Sequence, residues 1–152
     1  MENQAVASAA AENGVAFKKA LYTGKTHTVG GREHGTARSS DGRLEVKLVP
    51  PGAKREGTNP EQLFAAGWSA CFEGAMQSVA KVMKVQLPEE TAIDAEVDLV
   101  YDEGGYTLQA RLNVSVPGVD REVAQSIVDG AHQTCPYSKA IRGNVAVAIN
   151  VV

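Results

Sequence analysis

An α+β fold, with mainly antiparallel sheets around one long central helix, is what this sequence predicts. Three observations carry that reading. Alternating apolar and polar residues occur in paired runs joined by Asp/Gly turns. One long segment, Leu63 to about Met83, is apolar at helical spacing and is preceded by start signals. No glycine-rich phosphate loop follows a strand, as a parallel nucleotide-binding sheet would need.

The chain has 152 residues, a length that suits one domain. Residues 1 to 15 are rich in Ala, Glu and Asn without an apolar period, and read as a flexible N-terminal extension to a single domain over 16–152. Ala20-Leu21-Tyr22-Thr23 leads into Thr26-His27-Thr28-Val29, a strand pattern that Gly30-Gly31 breaks. Ser39-Ser40-Asp41-Gly42 predicts a hairpin with a type I′ turn, since Asp-Gly supplies positive φ angles. Leu44, Val46 and Leu48 then alternate with Glu45 and Lys47, as a half-buried strand does.

After a loop from Pro50 to Gly57 the long helix starts. Asn59 can cap it, Pro60 fits its first position, and Gln62 falls three after the cap. Its first half, from Leu63 to Phe72, is apolar almost all round and is expected to lie deep. The second half narrows to Phe72, Met76, Val79 and Met83, and is expected to emerge toward solvent. Pro88 is expected to end the element. Ala92 to Val100 and Tyr106 to Val116 form a second hairpin across Asp102-Glu103-Gly104-Gly105. Asp120 caps a second helix with Val123, Ala124, Ile127 and Val128 at helical spacing. Cys135-Pro136 interrupts it, Ser138 to Arg142 reads as a short helical turn, and Gly143 stops that turn. Val145, Val147, Ile149 and Val151 make a last strand. One sheet covers only one side of the long helix, so a second subunit is expected on the other.

A net charge of -3 lacks the electrostatic footprint of a nucleic-acid binder, and Lys18-Lys19 and Lys54-Arg55 are too short to supply one. No apolar stretch approaches membrane-spanning length, and Met1-Glu2-Asn3-Gln4 has no positive signal-peptide start. The expected location is the cytoplasm, where disulfides are mostly transient, catalytic or redox-sensing. That puts weight on the two cysteines, Cys71 and Cys135. They form no CxxC and no Cys/His cluster, so no metal site is expected.

By pattern alone each candidate has two readings. Cys71, mid-helix, is a small buried hydrophobe or a nucleophile. Cys135 precedes Pro136, which biases it away from helical angles, and a thiol there could feel helix-start amides that favour thiolate. Arg32 follows Gly30-Gly31, where the backbone is free to turn, but it also reads as a surface arginine. Glu61 lies in the first helical turn, where the dipole already favours an acid. His27, His34 and His132 have no ligand spacing. Phe64, Trp68 and Phe72 are core residues by default, yet an apolar pocket beside a reactive thiol would use such side chains.

Longer motifs narrow this. Ala20-Leu-Tyr-Thr, Gly30-Gly-Arg, Ser39-Ser-Asp-Gly, Thr58-Asn-Pro-Glu-Gln-Leu-Phe-Ala-Ala-Gly-Trp-Ser-Ala-Cys-Phe and His132-Gln-Thr-Cys-Pro-Tyr-Ser-Lys-Ala-Ile-Arg-Gly-Asn closely resemble the organic hydroperoxide resistance branch of the OsmC-like family. The resemblance runs from about residue 18 to the end. It implies an intertwined α+β homodimer with two interface active sites. It implies Cys71 as peroxidatic cysteine, Cys135 as resolving cysteine, Arg32 as the thiolate-stabilising arginine and Glu61 as the acid that orients it. Organic hydroperoxides are the implied substrates and dihydrolipoamide on a lipoylated protein the implied reductant. No bound cofactor or metal is implied.

Spacing adds one expectation. Glu61 and Cys71 are ten residues apart, which in a continuous helix is a rise of roughly 15 Å. The Glu61 that serves a given Cys71 is therefore expected from the partner subunit. Two rivals remain at this point: a peroxidase of broader specificity, as in the osmotically inducible branch, and a non-enzymatic small-molecule-binding dimer with inert cysteines.

Overall fold

The computed structural model describes residues 13–152; residues 1–12, most of the expected extension, lie outside the described residues. A small antiparallel sheet comes first. It contains β1 (Thr26–Val29), β2 (Thr36–Ser39) and β3 (Glu45–Lys47) in that order, with the single-turn helix α1 (Gly31–His34) between β1 and β2. Ala20–Thr23, expected to join the strand, does not. Among the described residues nothing pairs with it, and Leu21 and Tyr22 stand open to solvent.

The β2–β3 hairpin is present, but its turn is not type I′. That turn needs positive φ at both central residues, and here Gly42 has φ 74° while Asp41 is not left-handed. Gly42 N–H closes the turn on Ser39 C=O at 3.0 Å, and Leu44 C=O receives Ser39 N–H at 2.9 Å. The Asp41 side chain binds the Ser39 hydroxyl at 2.6 Å and the Arg43 N–H at 3.1 Å. Asp41 thus organises the turn through its side chain, which does not require a left-handed backbone.

The larger sheet has the order β4 (Ala92–Asp102), β5 (Gly105–Ser115), β6 (Ala146–Val151). β4 and β5 run antiparallel from Ala92↔Ser115 to Asp102↔Gly105. β5 and β6 are parallel, Gln109↔Ala146 through Val114↔Val151. The sheets are otherwise antiparallel as expected, and this is the one parallel strand pair among the described residues. Its cause is the crossover between the strands, α3 (Arg121–Thr134) and α4 (Pro136–Ile141), because parallel neighbours need a connection long enough to return. On the outer face Arg111 bridges Glu96 at 2.6 Å and Asp98 at 2.9 Å. Its hydrogen bonds hold the Asp98 carboxyl down at about 2.

The long helix α2 (Pro60–Met83) lays Trp68, Phe72, Met76 and Ala80, each four apart, into the core. They meet Leu112 and Val114 from β5 and Ala124, Ile127, Val128 and Ala131 from α3. Two expectations for this helix change. Its first half is not deep in the single chain: Leu63, Phe64 and Ala65 are half-buried, and Ala66 and Ala70 are exposed. The apolar girth there is wider than one chain covers. The helix also stops before Pro88, at Lys84, which takes φ 57° while Val85 N–H reaches back to Ala80 C=O at 2.9 Å.

The start of α2 follows its sequence signals. Pro60 occupies the first turn and Asn59 accepts the Gln62 N–H at 2.9 Å. Asn59→Ala removes that cap and should cost about 1 kcal/mol. A urea titration should show a lower midpoint with an unchanged slope; an unchanged midpoint would show that the cap adds nothing.

Candidate active site

Cys71 and Cys135 lie 64 positions apart in sequence, yet their sulfurs are 3.7 Å apart. Both are free thiols, Cys71 half-buried and Cys135 buried. Cys71 is carried by the rigid middle of α2. Cys135 is the hinge where α3 ends and α4 begins, with φ -58° and ψ 125°. That extended backbone is what Pro136 imposes on the residue before it.

Burial is the main influence on Cys71 and pushes its pKa up; the neighbouring Cys135 pushes the same way, and the Tyr137 main-chain N–H opposes them. That N–H belongs to the first turn of α4, which starts right after Cys135. No cationic side chain among the described residues figures among the influences on this thiol. His132 supplies none, because burial, followed by Arg142, lowers its pKa and keeps it neutral near pH 7.

Arg32 and Glu61 form a second cluster. Arg32 Nη2 donates to both carboxylate oxygens of Glu61 at 2.6 Å. The Glu61 side chain is largely covered, and that of Arg32 is about one-third open. The loop carrying Arg32 is tightly built. Gly30 and Gly31 have φ 74° and 62°, and a Cβ on Gly35 would come within 2.2 Å of Gly31 O. Arg55 donates to the Glu33 carbonyl and lies 3.0 Å from His34 Nδ1, tying this loop to the one before α2.

The two predicted pairs are therefore both assembled, and α2 is unbroken between Glu61 and Cys71. At about 1.5 Å per residue the helix keeps them roughly 15 Å apart along its axis. The groove of about 500 Å³ beside Glu61 is lined by α2, β4 and Arg111, and neither cysteine lines it. Of the predicted pocket residues, Trp68 and Phe72 are fully buried and present no surface in the single chain, while Phe64 is half-buried. Sequence reasoning passed over Tyr137 and Ser138 as site residues. Their one signal was the Cys135-Pro136-Tyr137-Ser138 run itself, which places them in the turn that carries Cys135.

The description of the OsmC-like proteins matches residues 51–150, and that span contains Glu61 and both cysteines. The chain belongs to the OsmC-like family. Within it, the chain is 49% identical over 138 residues to the organic hydroperoxide resistance protein of Xanthomonas axonopodis pv. citri (strain 306), covering 88% of this chain and 96% of that one. It is 47% identical to the organic hydroperoxide resistance protein OhrB of Bacillus subtilis (strain 168), over 87% and 98%. The crystal structure of B. subtilis OhrB matches with a TM-score of 0.82, covering 88% of this chain and all of that chain. An organic hydroperoxide resistance protein from Vibrio cholerae, crystallised with captopril in one of its active sites, matches at 0.78 with 36% identity, over 88% and 95%. The resemblance read from the two cysteine motifs is borne out, as is the α+β fold of the OsmC-like proteins. Among the described residues no helix is long and apolar enough to cross a membrane.

Proposed function

We propose that this protein is a thiol peroxidase that reduces organic hydroperoxides to alcohols and so contributes to organic hydroperoxide resistance. The observation that carries the reading is the 3.7 Å approach of two free thiols, one at the edge of the core and one beneath it. The Cys71 thiolate attacks the peroxide oxygen distal to carbon. The O–O bond breaks, the alkoxide leaves and takes a proton to become the alcohol, and Cys71 is left as a sulfenic acid. Cys135 then attacks that sulfur and expels water, forming a disulfide. A dithiol reduces the disulfide by two exchange steps and is itself oxidised to a disulfide. Dihydrolipoamide on a lipoylated protein is the reductant of choice, and the cytoplasm is the compartment that suits a transient disulfide.

The thiol needs a cation. Burial raises the Cys71 pKa, and its own chain sets Arg32 about ten helical residues away on Glu61. The reading that fits is a homodimer in which the partner's Arg32 and Glu61 face Cys71. The open apolar girth at the start of α2 and the uncovered Leu21 and Tyr22 suit burial against a second copy.

Phe64 and Tyr137 meet edge to face at 6.2 Å, on the face of α2 that runs down to Cys71. An aromatic wall on the same helix face as the sulfur, with Trp68 and Phe72 buried next to it, favours an alkyl or aryl peroxide. Purified protein with dihydrolipoamide should therefore consume cumene hydroperoxide faster than hydrogen peroxide. The reverse order would favour a broader peroxidase, and no consumption with any dithiol would leave a binding module in front.

A further inference from the structure

We infer that Tyr137 and Ser138 are positioning residues for the Cys71 sulfur: they seat the first turn of α4 on α2 so that the Tyr137 main-chain N–H faces it. The inference rests on the reading of Cys71 as the nucleophile.

Five contacts fix this turn. Cys135 closes α3 with its N–H on Ala131 C=O at 2.8 Å, and opens α4 by accepting the Lys139 N–H at 3.0 Å. Pro136 has no N–H to offer, so Tyr137 supplies the first free donor of the turn. The Tyr137 ring lies across α2. It meets Phe64 edge to face, and a Cβ on Gly67 would come within 3.0 Å of its hydroxyl. Ser138 is fully buried, and its Oγ accepts the Trp68 indole N–H at 3.1 Å.

These contacts share one stripe of α2. Phe64, Gly67, Trp68 and Cys71 follow the three- and four-residue spacing of neighbours on a helix face. The ring of Tyr137 seats on the upper part of the stripe and the Ser138 hydroxyl on Trp68. The Tyr137 N–H, two residues after Cys135 at the start of the turn, is left toward the last member, Cys71, whose sulfur lies 3.7 Å from that of Cys135. An amide N–H stabilises a thiolate more than a thiol, and at Cys71 it is the influence that opposes burial. The side chains of Tyr137 and Ser138 act only through where they hold that N–H.

The test uses full-length protein carrying Cys135→Ser, so that Cys71 is the single thiol. The rate of alkylation by iodoacetamide is followed against pH, with thermal melting measured alongside. Tyr137 is partly exposed and its loss should leave the fold intact. Tyr137→Ala should raise the alkylation midpoint by about one pH unit, and so slow reaction at pH 7 roughly tenfold. Tyr137→Phe keeps the ring on Phe64 and should keep the parent midpoint. Ser138→Ala should shift the midpoint in the direction of Tyr137→Ala, by removing the partner of Trp68. Alkylation midpoints that stay put in both alanine variants, whatever happens to melting, would overturn the inference and leave the nucleophile reading standing. A parent Cys71 no more reactive than a free thiol would overturn both.

Discussion

Cys71→Ser should abolish peroxide turnover, while Cys135→Ser should release about one alcohol per chain in a fast phase and then fail to turn over. The two cysteines are 3.7 Å apart, but the difference in their surroundings separates their roles. Cys71 is half-buried and Cys135 is fully covered, so an incoming peroxide meets Cys71 first. Serine in its place is a far weaker nucleophile and forms no sulfenic acid, so the loss should be on the order of a thousandfold or more. Without Cys135 the first chemical step is intact. The sulfenic acid then has no partner within reach; only a slower reaction with a second peroxide, which releases a second alcohol, carries it on to the sulfinic acid. Rapid-quench measurement of alcohol, with the intact mass of the protein, reads both events. Multiple turnovers from Cys135→Ser with dihydrolipoamide would mean that the reductant attacks the sulfenic acid directly, and would remove the resolving role.

How much of this was legible in the sequence follows from which forces are local. Helix α2 was readable because its signals lie within a few residues: the Asn59 cap, Pro60 in the first turn and an apolar stripe at fixed spacing. The β4–β5 hairpin was readable because its alternation is long and its turn is rich in glycine. The parallel β5–β6 pair was not, since strand direction depends on where α3 and α4 return the chain. The apolar pattern of α2 ran to Met83, where the helix ends, but the stop was assigned to Pro88 because a lysine in the left-handed region leaves no composition signal. At the site, the motifs named both cysteines, Arg32 and Glu61, and the structure assembles them as two pairs. The excess apolar girth of α2 was legible, but not which of its residues the single chain leaves half-open, because an apolar pattern does not say what covers it. Tyr137 and Ser138 were hidden for another reason. One acts through its amide and the other through a buried hydroxyl, and neither leaves a pattern in sequence.

Mixing two inactive variants should restore activity. Arg32→Ala keeps Cys71 and Cys135 but loses the cation. A nearby opposite charge moves a pKa by about one to three units, so its rate at neutral pH should fall by roughly a hundredfold. Cys71→Ser keeps Arg32 and Glu61 but has no nucleophile. If each site draws its cysteines from one chain and its Arg32–Glu61 pair from the other, a mixed dimer contains one complete site and one doubly defective site. Random exchange makes half the dimers mixed, so about a quarter of wild-type activity should return. The argument comes from the helix. Arg32 is bound to the Glu61 of its own chain at 2.6 Å, and the unbroken α2 holds that carboxylate ten residues from its own Cys71. If a chain's Arg32 instead swung away from Glu61 to reach its own Cys71, every mixed site would lack one essential group and activity would stay at the level of the separate variants. The recovered fraction, measured after refolding the variants together, distinguishes the two. A Glu61→Gln chain mixed with Cys71→Ser should recover in the same way, because Glu61 travels with Arg32 as one unit.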